Sequence, residues 1–407
     1  MTLKAKIWLV SILLALTLQA KGKDVVFSRP LLLNRDGPQT QAVLKEIERR
    51  ITTVLGYVSH ASVSELRVLG PFGWWPGPGG IDLWAYRKMG IDYVITGWMK
   101  KGKCAISVID TTKARSLFKW QGRPSNIYDF MRKLVVRVGL APPPFGTWIL
   151  FSYRVPGSLN KDIMAIEFPS GKASRIDAPK GLNIFPAWYR DRVSYITYSH
   201  GAPMISIGSK LLNLPGNPMG FAASLDNKML AVALNRNNNT DIYIMNTNTM
   251  HLRRITRYPA IDTSPAWSAN AKRMVFVSDR TGFPQLWLID DLKDPSPRCL
   301  NIPGNYNTSP EWANDNDLIT FQTRIGLSFR VCTYRISTKD LHCLPLTGRS
   351  NEDPTFSPDG RLIAFVRQGR RNHRTLMIWD IQSGTVTSLY NLDGQCFTPS
   401  WEPATQN

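Results

Sequence analysis

The segment closest to a chemical motif is residues 97–104, GWMKKGKC, which nearly match a phosphate-binding loop. In such a loop a serine or threonine follows the lysine and binds Mg²⁺, and a helix begins there. Here Cys104 replaces the hydroxyl, and residues 105–109 have the alternation of a strand. We therefore predict a β-hairpin that turns at residues 100–103, and not a nucleotide site.

The other residue types that carry catalysis show no productive spacing. The histidines lack the paired spacing of a zinc site, and no Gly-x-Ser-x-Gly nucleophile elbow occurs. Four aspartates recur at equivalent turns: Asp262, Asp279, Asp353 and Asp359. At such positions we expect an aspartate to close the turn rather than to act as an acid or base. The sequence predicts no catalytic residue, no metal ligand and no cofactor.

The five cysteines leave one candidate disulfide. Cys332 and Cys343 lie on consecutive predicted strands, equidistant from a turn at Ser337 and Thr338, so they would face each other across a hairpin. A disulfide suits an oxidising compartment. Two free, half-buried thiols are the alternative.

A repeated unit positions the candidate turn residues. The unit is clearest at residues 261–290, where a Ser-Pro-Ala-Trp entry precedes two predicted strands, 273–278 and 285–290. Its anchor residue recurs at spacings of 35, 44, 45, 44 and 45, at Trp188, Ala223, Trp267, Trp312, Phe356 and Trp401. A period in the forties with apolar residues alternating by two is typical of a β-propeller blade.

The last unit predicts how the ring closes. Only six residues follow Trp401, whereas residues 147–153 have the pattern of the strand that follows every other anchor. The N-terminal edge of the repeat region would therefore complete the last blade. Six anchors and six following strands predict an all-β, six-bladed β-propeller, and ring closure hides the sheet edges.

The chain divides into four predicted parts. Residues 1–20 read as a signal peptide, with two lysines before an apolar run of 12 residues, too short to span a bilayer comfortably. A small α/β domain is predicted at 21–140, with helices at 38–54, 81–89 and 127–138 and strands at 93–98, 105–109 and 116–120. A Pro-rich linker at 141–146 precedes the propeller at 147–407. The mature chain has no predicted transmembrane span.

The net charge of +20 points to anionic partners. Nucleic acid is not expected for an exported protein, which leaves acidic proteins, lipid head groups or cell-wall carboxylates. A generally basic proteome is the alternative explanation of the charge.

The blades resemble the TolB family, the periplasmic β-propellers of the Tol-Pal envelope system. The motifs that carry the resemblance are TSPAWSANAKRMVFVSDRTGFPQLWLID, NYNTSPEW and NEDPTFSPDGRLIAFV, and WAYRKMGIDYVITGWMKKGKCAISVID is similar to the family's N-terminal strand region. The resemblance implies a periplasmic, non-enzymatic scaffold that supports outer-membrane integrity and cell division. It implies binding to a Pal-like outer-membrane lipoprotein, and to a TolA-like inner-membrane protein through the N-terminal segment.

The resemblance also implies where the lipoprotein docks. Residues in or next to the loops before the anchors would contact it: Asn217, Gly220, Thr263, Ser264, Thr308 and Ser309. Charged residues would lie on the rim of the same face: Asp279, Arg280, Arg324, Asp353 and Arg370. The alternative role of each Thr-Ser-Pro is turn closure and strand entry, and the arginines are either contacts for an acidic partner or solvated turn charges.

Two other functions remain as alternatives. One is an exported propeller hydrolase or lyase with its site at the central channel. The other is a propeller that binds a polyanion or the cell wall through its charge excess.

Overall fold

The structure is a computed structural model that divides the chain into two compact units, Met1–Phe145 and Gly146–Asn407. It describes residues 13–16, 25–28, 50, 67–69, 93–100, 103–110, 113, 115–123, 128, 130, 133, 144–190, 192–345, 350–369, 373–390 and 394–403. The predicted helix at 81–89 and most of those at 38–54 and 127–138 lie outside these residues. No helix within the described part of the chain is long and apolar enough to cross a membrane.

Most of the described part of the first unit is a six-stranded sheet, and residues 50, 128, 130 and 133 are helical. Its strands are β1 (Leu13–Leu16), β2 (Val25–Ser28), β3 (Arg67–Leu69), β4 (Tyr93–Lys100), β5 (Lys103–Asp110) and β6 (Arg115–Gly122). Their order is β3-β1-β2-β4-β5-β6, with β2 and β4 parallel and the other neighbours antiparallel. Strands β4 to β6 confirm the three strands predicted here, whereas β1 lies inside the predicted signal segment.

The segment that resembles a phosphate-binding loop is a β-hairpin. Strands β4 and β5 pair antiparallel, with Lys100 opposite Lys103. Cys104 is therefore part of a strand and not the start of a helix, which confirms the hairpin prediction.

The second unit is built from antiparallel sheets whose first strands contain the anchors. These inner strands are β10 (Asn183–Tyr189), β14 (Asn217–Ala223), β18 (Asp262–Trp267), β22 (Asn307–Trp312), β26 (Ser350–Phe356) and β30 (Gln395–Trp401). The strands paired with them are β11 (Arg192–His200), β15 (Met229–Arg236), β19 (Met274–Ser278), β23 (Leu318–Ile325), β27 (Leu362–Gln368) and β7 (Thr147–Arg154).

Two further strands complete each antiparallel group. The third strands are β8 (Asp162–Phe168), β12 (Ala202–Ile207), β16 (Asn239–Asn246), β20 (Gln285–Ile289), β24 (Ser328–Arg335) and β28 (Arg374–Asp380). The outermost strands are β9 (Ala173–Arg175), β13 (Lys210–Leu212), β17 (Leu252–Arg254), β21 (Arg298–Cys299), β25 (Leu341–Cys343) and β29 (Val386–Tyr390). The arrangement is that of a β-propeller.

The prediction of six separate blades is not reproduced as six separate sheets. Strands β10 to β25 form four four-stranded sheets, and the remaining strands form one eight-stranded sheet. The two halves of that sheet are joined by a single parallel pairing, Arg374 with Gln395. Strand β30 also pairs with β7, so the C-terminal strand is joined to the N-terminal edge as the last anchor predicted.

The hydrophobic core lies between neighbouring sheets, because each sheet buries both faces. One cluster packs Val275, Val277 and Leu288 of one sheet against Phe321 and Tyr334 of the next. Alternate residues of a strand point to opposite faces, so a strand covered on both sides buries consecutive residues, as β19 does from Met274 to Ser278.

The anchor tryptophans join neighbouring sheets. The indole nitrogen of Trp267 donates to Ala222 O, and that of Trp312 to Ala266 O, each at 3.0 Å. Trp188 donates in the same way to Ser400 O at 3.3 Å. Each acceptor lies one residue before the preceding anchor, so the repeat of tryptophan supplies a repeated hydrogen bond between sheets.

One disulfide is present among the described residues. Cys332 in β24 and Cys343 in β25 face each other in register and are joined by a disulfide. Among the described cysteines Cys299 and Cys396 are free, and Cys396 is buried.

Candidate functional site: the central cavity and the entry face

The inner strands line a central cavity of about 320 Å³. Every inner strand contributes its Pro-x-anchor segment or the equivalent, from Pro186 to Trp401. Polar side chains of Ser264, Ser309 and Asp353 contribute to one stretch of the wall. The repeated segment therefore both joins the sheets and forms the channel.

The residue before the proline has an unusual backbone conformation in five of the six inner strands, all except β14. Its φ is 51° at Phe185, 49° at Ser264, 53° at Ser309, 52° at Asp353 and 44° at Thr398. Residues other than glycine rarely adopt this left-handed region, at a cost of about 1 kcal/mol or more each. At each of these positions the pairing register shifts, so the strand bulges as it enters the channel.

Two carboxylates in the channel wall have raised pKa values. Burial raises the pKa of Glu311 to about 7, although Glu311 accepts hydrogen bonds from the Thr355 hydroxyl and, at 3.3 Å, from Phe356 N. Burial, and then the negative charge of Glu352, raise the pKa of Asp353. The Oδ2 atom of Asp353 accepts a hydrogen bond from Thr398 N at 3.2 Å. Glu311 therefore bonds to the neighbouring sheet and Asp353 to another strand of its own eight-stranded sheet, and both acids face the channel.

Exposed apolar side chains concentrate at one end of the propeller. We call this end the entry face: it carries the starts of the inner strands, the loops before them and the turns between the second and third strands. Nine of the ten large hydrophobic side chains exposed among the described residues lie there: Val155, Leu159, Phe185, Met219, Tyr258, Ile261, Phe283, Ile325 and Leu327. Met250, between β16 and β17, lies at the opposite end.

The residues that the family resemblance assigns to the loops before the anchors lie in the inner strands, near their starts. Gly220, Ser264 and Ser309 are equivalent positions and line the cavity. Thr308 is half-buried and accepts a hydrogen bond from the Gln322 side chain at 3.0 Å, which is a contact within its own sheet. Half-buried Thr263 and exposed Asn217 are at the entry-face end of β18 and β14.

Of the expected rim residues, Asp353 and Arg280 have other locations or partners. Asp353 lies in the channel wall, at the position equivalent to Ser264, because it precedes the proline of its inner strand. The Arg280 guanidinium makes two hydrogen bonds, 2.9 and 2.8 Å, to the fully buried Asp262 carboxylate, and it packs on Trp287. Its charge is therefore paired within the blade.

Of the remaining expected rim residues, one closes a turn, one is exposed, and one lies outside the described residues. Asp279 Oδ1 accepts a hydrogen bond from Ile261 N at 2.8 Å and so connects a turn to the loop before β18. Arg324 is exposed and stacks on Tyr306, with 4.6 Å between Cζ and the ring centroid. Arg370 lies outside the described residues.

Sequence reasoning missed Glu311, Phe185 and Thr398. The last two occupy the pre-proline position that also contains Ser264 and Ser309, so alignment of all six units would have found them. Glu311 directly precedes an anchor, but its burial depends on the neighbouring sheet. The apolar turn residues were missed because a single leucine in a turn is ordinary until its neighbours on the same face are known.

Comparison with known proteins gives a consistent result. Residues 179–405 match the family model described as TolB beta propeller domain. The Tol-Pal system protein TolB of Helicobacter pylori is 26% identical over 315 residues, which cover 71% of this chain and 74% of that protein. The Tol-Pal system protein TolB of Francisella tularensis is 28% identical over 237 residues, covering 54% of each chain.

The crystal structure of TolB from Acinetobacter baumannii has the same fold, with a TM-score of 0.64 at 21% identity. The match covers 80% of this chain and 86% of that one. The family model spans more than half of the chain, and the relatives extend the similarity beyond it. This chain is a member of the TolB β-propeller family.

Proposed function

We propose that the protein is a non-enzymatic, periplasmic scaffold of the Tol-Pal system that binds a Pal-like outer-membrane lipoprotein through the entry face. Such a scaffold would support outer-membrane integrity and cell division. The names of the curated relatives support membership of the Tol-Pal system. A TolA-like inner-membrane protein would bind the N-terminal segment once residues 1–20 are removed on export.

We also propose that the propeller has six blades and occupies residues 147–407, after an N-terminal α/β domain at 21–140 and a linker at 141–146. The eight-stranded sheet would count as two blades, β26 to β29 and β30 with β7 to β9. In support of this division, a single pair of residues joins the two halves, whereas seven pairs join β27 to β28. The six cavity-lining inner strands match this count.

The concentration of exposed apolar side chains on the entry face carries the docking proposal. Leu327 is 100% exposed and Leu159 is 90% exposed, at the tips of two different turns. A soluble protein rarely exposes apolar side chains together unless they meet a partner. The channel mouth, with Ser264 and Ser309, lies within the same face, so one partner could contact the turns and the wall of the mouth.

A titration calorimetry experiment tests the proposal with the Pal-like lipoprotein domain of the same organism. The variants are Leu327→Glu and Thr308→Arg, and Met250→Glu on the opposite face is the matched control. We expect one-to-one binding that is weakened at least tenfold by the first two changes, because a charge at a desolvated contact costs about 1.4 kcal/mol or more. The control should bind as the unchanged protein does.

Three results would contradict the proposal. Absence of binding at both low and moderate salt would remove the assignment of the partner. Weakening by Met250→Glu alone would move the docking site to the other end. Binding that is lost steeply with salt and is insensitive to Leu327→Glu would favour the polyanion-binding alternative.

A further inference from the structure

Three cations surround one aromatic ring where the propeller closes. The ring belongs to Phe397, in the inner strand β30. The Nζ atom of Lys161 lies 3.8 Å from the ring centroid, and the Cζ atoms of Arg374 and Arg154 lie at 4.6 and 5.4 Å. Each cation gains from the electron-rich face of the ring, but like charges this close repel each other.

The three cations share few carboxylates. Arg374 pairs with Glu352. Arg154 donates instead to a neutral acceptor, Gln395 Oε1, at 3.1 Å from its Nε. Lys161 forms no ion pair with any residue that the structure describes. Two of the three positive charges are therefore held without a described carboxylate of their own.

An arginine in another blade has a carboxylate partner that this cluster lacks. Arg280 also packs among aromatic rings, but it has its own carboxylate, Asp262, two residues before the pre-proline Ser264. The residue two positions before the pre-proline Thr398 is Cys396. Burial raises the pKa of the Cys396 thiol to about 12, so this position supplies no negative charge at neutral pH.

The remaining charges leave the cluster positive. Glu352 contributes one negative charge and Asp353 at most one, against the charges of Arg154, Lys161 and Arg374. Burial lowers the pKa of Lys161, and the two arginines lower it further, whereas Asp353 acts in the opposite direction. When the half-buried Lys161 is charged, the net charge of the cluster is at least one positive.

We propose that Lys161, Arg154 and Arg374 form a binding site for a single carboxylate group on the entry face. A carboxylate carries the one negative charge that the cluster lacks, and it can accept hydrogen bonds from an ammonium and a guanidinium together. A phosphate dianion fits less well because Glu352 and Asp353 lie beside the cations. The site does not depend on the identity of the docking partner.

Reductive methylation of the whole protein, read by peptide mass spectrometry, tests the proposal with acetate as the probe. Methylation requires a neutral amine, and a bound carboxylate both covers Lys161 and favours its charged form. We expect Lys161 to react at least about threefold more slowly in saturating acetate than in chloride of the same ionic strength. The exposed Lys180 and Lys210 are internal controls and should react equally in both salts.

A pair of arginine variants gives the matched comparison. Arg154→Gln should abolish most of the acetate protection of Lys161. Arg236→Gln should leave it unchanged, because Arg236 is exposed and ends β15 as Arg154 ends β7. Equal rates for Lys161 in acetate and chloride would overturn the proposal, and so would stronger protection by inorganic phosphate than by acetate.

Discussion

Replacement of Glu311 by glutamine should make the protein more stable above neutral pH. Glu311 lies in the channel wall and is the acceptor for Phe356 N at 3.3 Å. Burial is the dominant influence on its carboxyl group and raises its pKa from 4.5 to about 7. A glutamine keeps the side-chain oxygen that accepts this hydrogen bond, but it never carries the charge.

The size and sign of the effect follow from the shift in pKa. The folded protein holds the Glu311 proton more tightly than the unfolded chain, so the free energy of unfolding falls as the pH rises from about 4.5 to about 7. The full penalty is roughly 3 kcal/mol, since a tenfold change in proton affinity corresponds to about 1.4 kcal/mol. Glu311→Gln removes this penalty at pH 8. At pH 4.5 the folded protein keeps Glu311 protonated, so there is no charge penalty for the substitution to remove.

Urea unfolding followed by tryptophan fluorescence measures the difference. We expect Glu311→Gln to raise the free energy of unfolding relative to the unchanged protein by roughly 3 kcal/mol more at pH 8 than at pH 4.5. Glu167→Gln in β8 is the control, because Glu167 is not a channel residue and bonds Ser170. If the Glu311→Gln difference were the same at both pH values, a buried carboxyl with a raised pKa would be refuted.

Three further changes test the contacts that hold the propeller together. Trp312→Phe should lower the free energy of unfolding by about 2 kcal/mol, because the Ala266 carbonyl of the neighbouring sheet loses its hydrogen-bond donor. Chemical denaturation measures the change, and a value below about 0.5 kcal/mol would refute a stabilising role for this hydrogen bond. Arg280→Leu should lower the free energy of unfolding by about 3 kcal/mol, because the buried Asp262 carboxylate loses its ion-pair partner. Calorimetry should show unchanged lipoprotein binding. Unchanged stability with weakened binding would instead make Arg280 a partner contact. Replacing both Cys332 and Cys343 by serine should lower the free energy of unfolding by roughly 2 to 3 kcal/mol, as expected for a disulfide that closes a short loop. Equal melting temperatures of the unchanged protein with and without a reductant would contradict this expectation.

Much of the propeller was predictable because its signals are local. Alternation by two over residues 273–278 predicted β19, which the structure places at Met274–Ser278. The position of Trp401 near the end of the chain predicted that β30 would pair with the strand at residues 147–153. The repetition strengthened the prediction of strands, because the same pattern of residues occurs in each unit.

The site was less predictable because its properties depend on contacts between units. The sequence cannot tell that Asp353 turns into the channel, since this follows from a left-handed backbone before a proline. Arg280 reads as a solvated turn charge until the pairing of β18 with β19 brings Asp262 within reach. The number of separate sheets also differs from the number of units because of one pairing between β28 and β30.

Hydrogen–deuterium exchange of the protein, alone and with the Pal-like lipoprotein domain, tests whether the entry face is the docking site. We expect slower exchange in the entry-face turns at residues 155–161, 279–284 and 325–328 when the domain is bound. We expect no change at residues 247–251, which surround Met250 at the other end. Protection of residues 247–251 with the entry-face turns unchanged would show that the domain docks elsewhere.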